Sequence, residues 1–313
     1  MNKGLMIIDG NSVGRAAHNT VPSYDGEGNQ TQATIGTLKT LRRLTTDYSE
    51  TYQKMWILWD HKAKFRYEIL PSYKGKRADT KEKVDSSEDY YRQRPNICDL
   101  IALLGIKQIS ATNYEADDIA GMLSRRVKSP TLLVTGDQDW QQLVTPFISW
   151  KDHRVRGPHC TYDDFKEKTS FDTPIQFLQA KAILGDTSDN IPGIRGLGSK
   201  AVERIFDQYG SVSALMAAKK RGELEKDRLP NDLTRFHKAL NSFTEKKGMD
   251  QFRMNLQLMD LLSGKRDDDI IRKMYIRQED LDVKGFEELC FDLGLGDVSR
   301  NIKLWKRTFG AAA

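Results

Sequence analysis

Cysteine is scarce and odd in number: Cys98, Cys160 and Cys290 stand far apart in a chain of 313 residues. That spacing excludes a disulfide framework or a zinc cluster and points to a reducing, cytoplasmic setting. Histidine is as thinly spread, with five copies. No apolar run approaches the roughly 18–20 residues that span a bilayer. The opening "MNKGLMIIDGNS" lacks the apolar segment and small-residue cleavage site of a secretion signal, so none is expected. Neither charge sign dominates: 49 Lys and Arg against 44 Asp and Glu leave a net charge of +5, a weak hint of a polyanionic partner. Pro/Ser linkers and internal repeats are missing too, so the parts of the chain are expected to pack as one body.

What the chain does have is charge in clusters. Bases crowd into "SYKGKRADTKEKVDSSEDYYRQR" and "GSKAVERI", while acids recur at the ends of apolar segments. Acid nests beside basic tracts suit metal ions working on a phosphate backbone. "GLMIIDG", "KMWILWD" and "PTLLVTGDQDW" read as buried strands, each ending in aspartate: Asp9, Asp60, and the pair Asp137 and Asp139. "IKQI" and "FISWK" read as further strands. "QATIGTLKTLRRLTTDYSETY", "RPNICDLIALLG" and "EADDIAGMLSRRV" have helical spacing. Strand–helix alternation through about residue 150 predicts an α/β fold with a mostly parallel central sheet flanked by helices. From about residue 173 strand signals vanish and helical pieces take over. The expected division is a core over 1–172 and a helical lobe over 173–313. Residues 71–94, polar and highly charged between two α/β elements, read as a loop or helix projecting over a cleft.

In an open parallel sheet, ligands sit beyond the carboxyl ends of the strands, so the strand-end acids converge on one cleft. Two i, i+3 pairs read as helical add to them: Glu115 with Asp118, Asp117 being adjacent, and Asp186 with Asp189. A lone aspartate at a strand end is ordinarily a cap or turn residue, and "YEADD" alone could be an N-cap. Five such sites in order are better explained by cations that neutralise them. Oxygen ligands without Cys or His select Mg²⁺ or Mn²⁺, and this many suggest two ions, about 3.5–4 Å apart in catalytic pairs.

"IPGIRGLGSKAVERIF" nearly fits two nucleotide motifs. Gly193 and Gly198 have P-loop spacing, but Ser199 precedes Lys200, the reverse of the required order. "GLGSKA", beginning at Gly196, matches a relaxed dinucleotide pattern but follows a helix rather than a strand. Helix, tight turn, helix is the better reading, with a helix N-terminus near Ser199 and the charge of Lys200 set to hold a phosphate.

"IIDG", "YKGKR", "YEADD", "TGDQDW", "GDTSDN" and "GIRGLGSK", in this order, resemble the structure-specific 5′ nucleases. That family includes flap endonucleases, phage 5′→3′ exonucleases and the 5′-nuclease domain of bacterial DNA polymerase I. The resemblance covers roughly residues 5–215 and implies a PIN-like fold with a helical arch over 71–94. It also implies a helix–hairpin–helix at about 186–209 that grips duplex DNA and often binds K⁺. It makes Asp9, Asp60, Glu115 and Asp117 the surroundings of a first metal, and Asp118, Asp137, Asp139, Asp186 and Asp189 those of a second. Tyr73, Lys74 and Arg77 fall at the arch base with Lys76 beside them, and Lys74 and Arg77 join Asp9 and Asp60 in catalysis. Gly193, Gly196, Gly198, Ser199 and Lys200 fall on the DNA-gripping turn. Tyr73, Tyr90 and Tyr91 are candidates to stack on unpaired bases, each worth about 1–3 kcal/mol if they do; the alternative for each, and at least as good a reading for Tyr90 and Tyr91, is packing against the arch stem.

The implied function is Mg²⁺-dependent hydrolysis of DNA at 5′ ends, flaps or nicks, by a monomer working beside replication proteins and leaving 5′-phosphate and 3′-hydroxyl. Removal of RNA primers falls within that scope. A non-catalytic branched-DNA binder is the first rival, disfavoured because the acid set is full. A ribonuclease on a related scaffold is the second, and "GIRGLGSK" speaks against it.

Overall fold

The structure, a computed structural model, describes residues 4–75, 81–157 and 159–310, with the side chains of residues 81–83 also outside the description. Among the described residues the apolar runs form a six-stranded sheet of order β5-β4-β1-β2-β3-β6. The strands are β1 Gly4–Asp9, β2 Tyr52–Trp59, β3 Lys107–Ala111, β4 Thr131–Val134, β5 Ile148–Lys151 and β6 Met274–Arg277. β1 lies at the centre, buried along its whole length, parallel to β2 and β4. β2 with β3 and β4 with β5 are parallel as well. A strand covered on both faces needs apolar side chains on both, which is why "GLMII" and "TLLV" are continuous runs. One apolar layer packs the Gln32–Tyr48 helix through Leu38, Leu41 and Leu44, and the other packs the Ala116–Ser124 helix through Ile119, Met122 and Leu123.

β6 was not expected. It pairs antiparallel with β3, from Gln108 opposite Arg277 to Ala111 opposite Met274. Behind it the helices Val283–Asp292 and Ile302–Gly310 bury Phe286, Cys290, Trp305 and Phe309 against the same layer as Leu38 and Ile101. Residues from about 267 onward therefore return to the sheet, and a helical lobe over the whole of 173–313 is corrected to one that ends near residue 263. "MYIR" gave little sign of this, because an edge strand with exposed Tyr275 and Ile276 lacks the apolar run of a buried one. The lobe has its own core, including Phe177, Ile194, Val202, Ile205, Leu215, Phe243 and Phe252.

The helix read from "RPNICDLIALLG" begins earlier: it runs Lys81–Leu103 with Pro95 inside it, so the second half of the 71–94 segment is helical. Among the described residues no helix is long and apolar enough to cross a membrane.

Candidate active site

The carboxyl ends of β1, β2 and β4 open into one cleft of about 680 Å³. Asp9, Asp60, Asp117, Asp137, Asp186 and Asp189 line it, together with Lys74, Arg15, Arg154 and Lys181. Each acid is fixed by the element that ends or begins there. Asp9 caps the Gly10–His18 helix, its Oδ1 accepting from Ser12 N at 2.9 Å, while Oδ2 accepts from the Thr135 hydroxyl at 2.8 Å. Asp60 accepts from Ala116 N at 2.8 Å and from Asn11 Nδ2 at 2.6 Å, tying β2 to two helix starts. Asp117 accepts from the indole of Trp140 at 2.6 Å, and Asp137 from Asp139 N at 2.8 Å. Trp140 is fully buried and anchors the turn after β4 in the core.

Asp186 and Asp189 are not on a helix. They occupy a turn closed by mutual backbone hydrogen bonds between Asp186 and Ile191, and Asp186 Oδ1 accepts from Ser188 N and Oγ. The i, i+3 spacing that reads as one helix face here belongs to an Asx-type turn, which aspartate favours for the same hydrogen-bonding reason.

The electrostatics are those of acids short of positive charge. Burial and the neighbouring Asp60 push Asp9 up to about 7. Burial, with Asp137 and Glu115 nearby, holds Asp117 well above the usual carboxylate range. Desolvation raises Asp137 too, and burial beside Asp137 takes Asp139 to about 6. Asp186 goes the other way: burial raises it, but the Ser188 hydroxyl and Lys181 outweigh that. Lys181 spans the lobe and the core, its Nζ 2.7 Å from Asp139 and 3.4 Å from Asp186.

Three expectations change. Both oxygens of Asp118 accept from Arg66, at 2.7 and 2.8 Å, and Oδ2 also accepts from Glu115 N; this acid is turned away from the cleft and holds the helix start. Glu115 stands behind the cleft rather than in it, 2.5 Å from Lys74 Nζ and 3.4 Å from Arg66. Tyr73 is buried and cannot stack on a base: its hydroxyl lies 3.0 Å from Glu115 Oε2 and 2.9 Å from Asp189 Oδ2. It latches the arch base to the aspartate turn, a link that Lys74 N repeats by donating to Asp189 O at 2.9 Å. Tyr90 is likewise core, while Tyr91 is exposed and accepts from Arg15. Lys76 and Arg77 lie outside the described residues.

The glycine turn falls between the helices Pro174–Leu184 and Ser199–Tyr209. Gly198, Ser199 and Lys200 line a separate shallow hollow with Arg235 and Phe236. No side chain caps the second helix, so its first N–H groups are open to a ligand. Gly196 has φ +84, and a side chain at Gly193 would meet the Leu184 carbonyl at 2.1 Å.

Asn11, Ser12, Arg15, Arg66, Arg154 and Lys181 were not anticipated. Lys181 had a signal, being the one charge in "PIQFLQAKAIL". Arg66, in the mixed "KFRYEI", had none.

Among the described residues no three acids close on one point as a tight cage for an ion. The donor set nonetheless fits hard divalent cations, which keep water and need one or two carboxylates each. Asp9, Asp117 and Asp139 are held up by burial and by neighbouring acids, Asp137 in each case, and a bound cation would reverse that.

A mostly parallel sheet with an acidic cleft at its carboxyl edge, joined to a helical lobe carrying a glycine turn, is the architecture of the 5′ nucleases. The chain belongs to the 5′-3′ exonuclease family: residues 4–170 match the family's N-terminal resolvase-like domain and 172–263 its C-terminal SAM fold. DNA polymerase I of Bacillus caldotenax is 32% identical over 228 residues, covering 70% of this chain and 25% of the polymerase. That of Lactococcus lactis subsp. lactis is 33% identical over 225 residues, 67% of this chain and again 25% of its own. The chain thus spans about a quarter of the length of these relatives. Among solved structures, the bacteriophage T5 flap endonuclease in complex with DNA and metal ions shares the fold, with a TM-score of 0.65 at 24% identity over 99% of both chains.

Proposed function

We infer that this protein hydrolyses DNA phosphodiesters near 5′ ends, flaps or nicks, leaving 5′-phosphate and 3′-hydroxyl, with two Mg²⁺ ions, for which Mn²⁺ can stand in. The observation that carries this reading is the gathering of Asp9, Asp60, Asp117 and Asp137 in one cleft at the carboxyl edge of the sheet, with Asp9, Asp117 and Asp137 raised by burial. When bound, the ions supply an activated water and neutralise charge on the phosphoryl group. Asp9, Asp60 and Asp117 from one side, and Asp137, Asp186 and Asp189 from the other, would hold them, with Asp139 acting through Lys181 or water. Lys74, oriented by Glu115 and by its backbone bond to Asp189, offers a point charge to the phosphate. Arg77 is assigned the forked contact beside it, and Lys76 a nearby phosphate contact.

The open N–H groups at Ser199, with Lys200, would seat a duplex phosphate, and the Gly193–Gly198 turn would allow K⁺ on its carbonyls. DNA is therefore the partner, in replication or repair beside a polymerase and with RNA primers within reach. A 5′-labelled flap and a nicked duplex, incubated with Mg²⁺ and then with EDTA, test the reading. Cleavage only with metal is expected, and no cleavage of either substrate with metal present would overturn it.

A further inference from the structure

The loop after β5 reaches behind the cleft and touches the strand ends that carry its acids. His153 is buried there, and its Nε2 lies 3.1 Å from Ser12 Oγ. That hydroxyl accepts from Gly136 N at 2.9 Å, and Gly136 immediately precedes Asp137. The other side of the same glycine is held as well, since Arg154 donates to Gly136 O at 2.9 Å. The backbone N–H of Ser12 meanwhile donates to Asp9, the helix cap, which also accepts from Thr135, whose hydroxyl accepts from Asp137 N at 3.0 Å.

We propose that His153 and Ser12 are positioning residues that set Asp9 and Asp137 at the separation the metal ions require. The inference rests on the nuclease reading of the cleft. In the tautomer that leaves His153 Nε2 unprotonated, serine's single proton goes to that nitrogen and Oγ accepts from Gly136 N; each member of the chain then has a partner, and neither strand end can shift alone. A neutral imidazole is needed for this, and burial lowers His153 to about 4. The loop is itself secured: Arg43 donates to His153 O at 2.8 Å, and Lys151 Nζ donates to Val155 O and Gly157 O. His153 lies outside the cleft lining, so its role is to place the acids and not to meet substrate.

The test is Mn²⁺ binding to DNA-free protein, followed by electron paramagnetic resonance, with thermal melts alongside. His153→Ala and Ser12→Ala should each weaken Mn²⁺ binding about tenfold, the low end for groups that orient metal ligands. The double variant should be no worse than either single one, because both break one chain. His153→Gln, whose amide reaches the place of Nε2, should recover most of the affinity. Excess metal should restore turnover in the alanine variants. Should His153→Ala fail to fold, Ser12→Ala still decides, since the helix cap Asp9 accepts from the backbone N–H of Ser12 and not from its side chain. Mn²⁺ affinity indistinguishable from wild type in folded variants, or additive losses in the double variant, would overturn the brace alone. A wild-type protein that bound no Mn²⁺ would overturn the nuclease reading and the brace with it.

Discussion

Asp117 and Asp118 are neighbours in the chain and opposites in chemistry. Both stand in the first turn of the Ala116–Ser124 helix, where the helix dipole favours negative charge. Asp118 turns inward to a buried Arg66 that holds both its oxygens and also donates to Leu258 O. Asp117 turns outward among other acids, is raised well above the carboxylate range, and has a single indole N–H at 2.6 Å. The pocket behind the helix has its cation built in; the cleft in front lacks enough of them. One side is complete as folded, whereas the other is poised to take up charge from outside. Holding a fold together and binding a metal require the same residue type, so only the partner tells the two apart.

The largest effect should come from Asp117→Asn, which removes charge from the cleft but leaves an acceptor for Trp140. Turnover should fall on the order of a thousandfold, as when a group that stabilises transition-state charge is lost. Melting in EDTA should hold or rise, because a disfavoured buried charge is gone. Full activity would place Asp117 with Asp118 on the structural side.

Arg66→Ala is the converse. It strands Asp118 without its cation, while Glu115 keeps Lys74, and breaking a buried pair in this way costs about 3–5 kcal/mol. Urea melts should show that loss. Unchanged stability with abolished turnover would show that Arg66 belongs to the cleft after all.

A pH series sharpens the contrast further. Asp9 stands at about 7 and Asp139 at about 6 in the folded chain, against an ordinary 3.8. The folded state therefore binds these protons more tightly than the unfolded state. Metal-free protein loses that share of its stability as pH climbs from 3.8 through about 7. The difference in urea midpoint between Asp9→Asn and wild type, in EDTA, should widen in the variant's favour from about pH 5 to pH 7. Saturating Mg²⁺ should abolish the trend, and a flat difference in EDTA would mean that Asp9 is not strained by its neighbours.

Much of the contrast was legible in advance. The strand-end acids announce themselves because a buried parallel strand must be apolar until it stops, so that Asp9, Asp60 and Asp137 stand out. The fate of the second acid in "YEADD" was not legible, because it depends on Arg66, 52 residues away and in a segment with no pattern of its own. Tyr73 misled for a similar reason: polar neighbours suggested exposure, yet its ring fills a small core with Leu178 and Leu258. The return of the chain after residue 267 was hidden too, because helical spacing reports a buried face without saying which body buries it.

The glycine turn offers the finest version of the comparison, since its residues also divide between fold and ligand. A Cβ on Gly193 would strike the Leu184 carbonyl at 2.1 Å, so the fold itself forbids a side chain there. A Cβ on Gly198 would meet nothing within 4 Å, although this residue caps the helix whose open N–H groups face out. Its φ of −90 suits any residue, so neither packing nor backbone strain demands glycine. Close approach of a phosphate would. Gly198→Ala should therefore leave the melting temperature unchanged while weakening duplex binding several-fold, whereas Gly193→Ala should lower both. Fluorescence anisotropy with a labelled duplex in Ca²⁺, beside a thermal melt, separates the two outcomes. Unaltered duplex affinity in Gly198→Ala would mean that DNA does not come close to this turn.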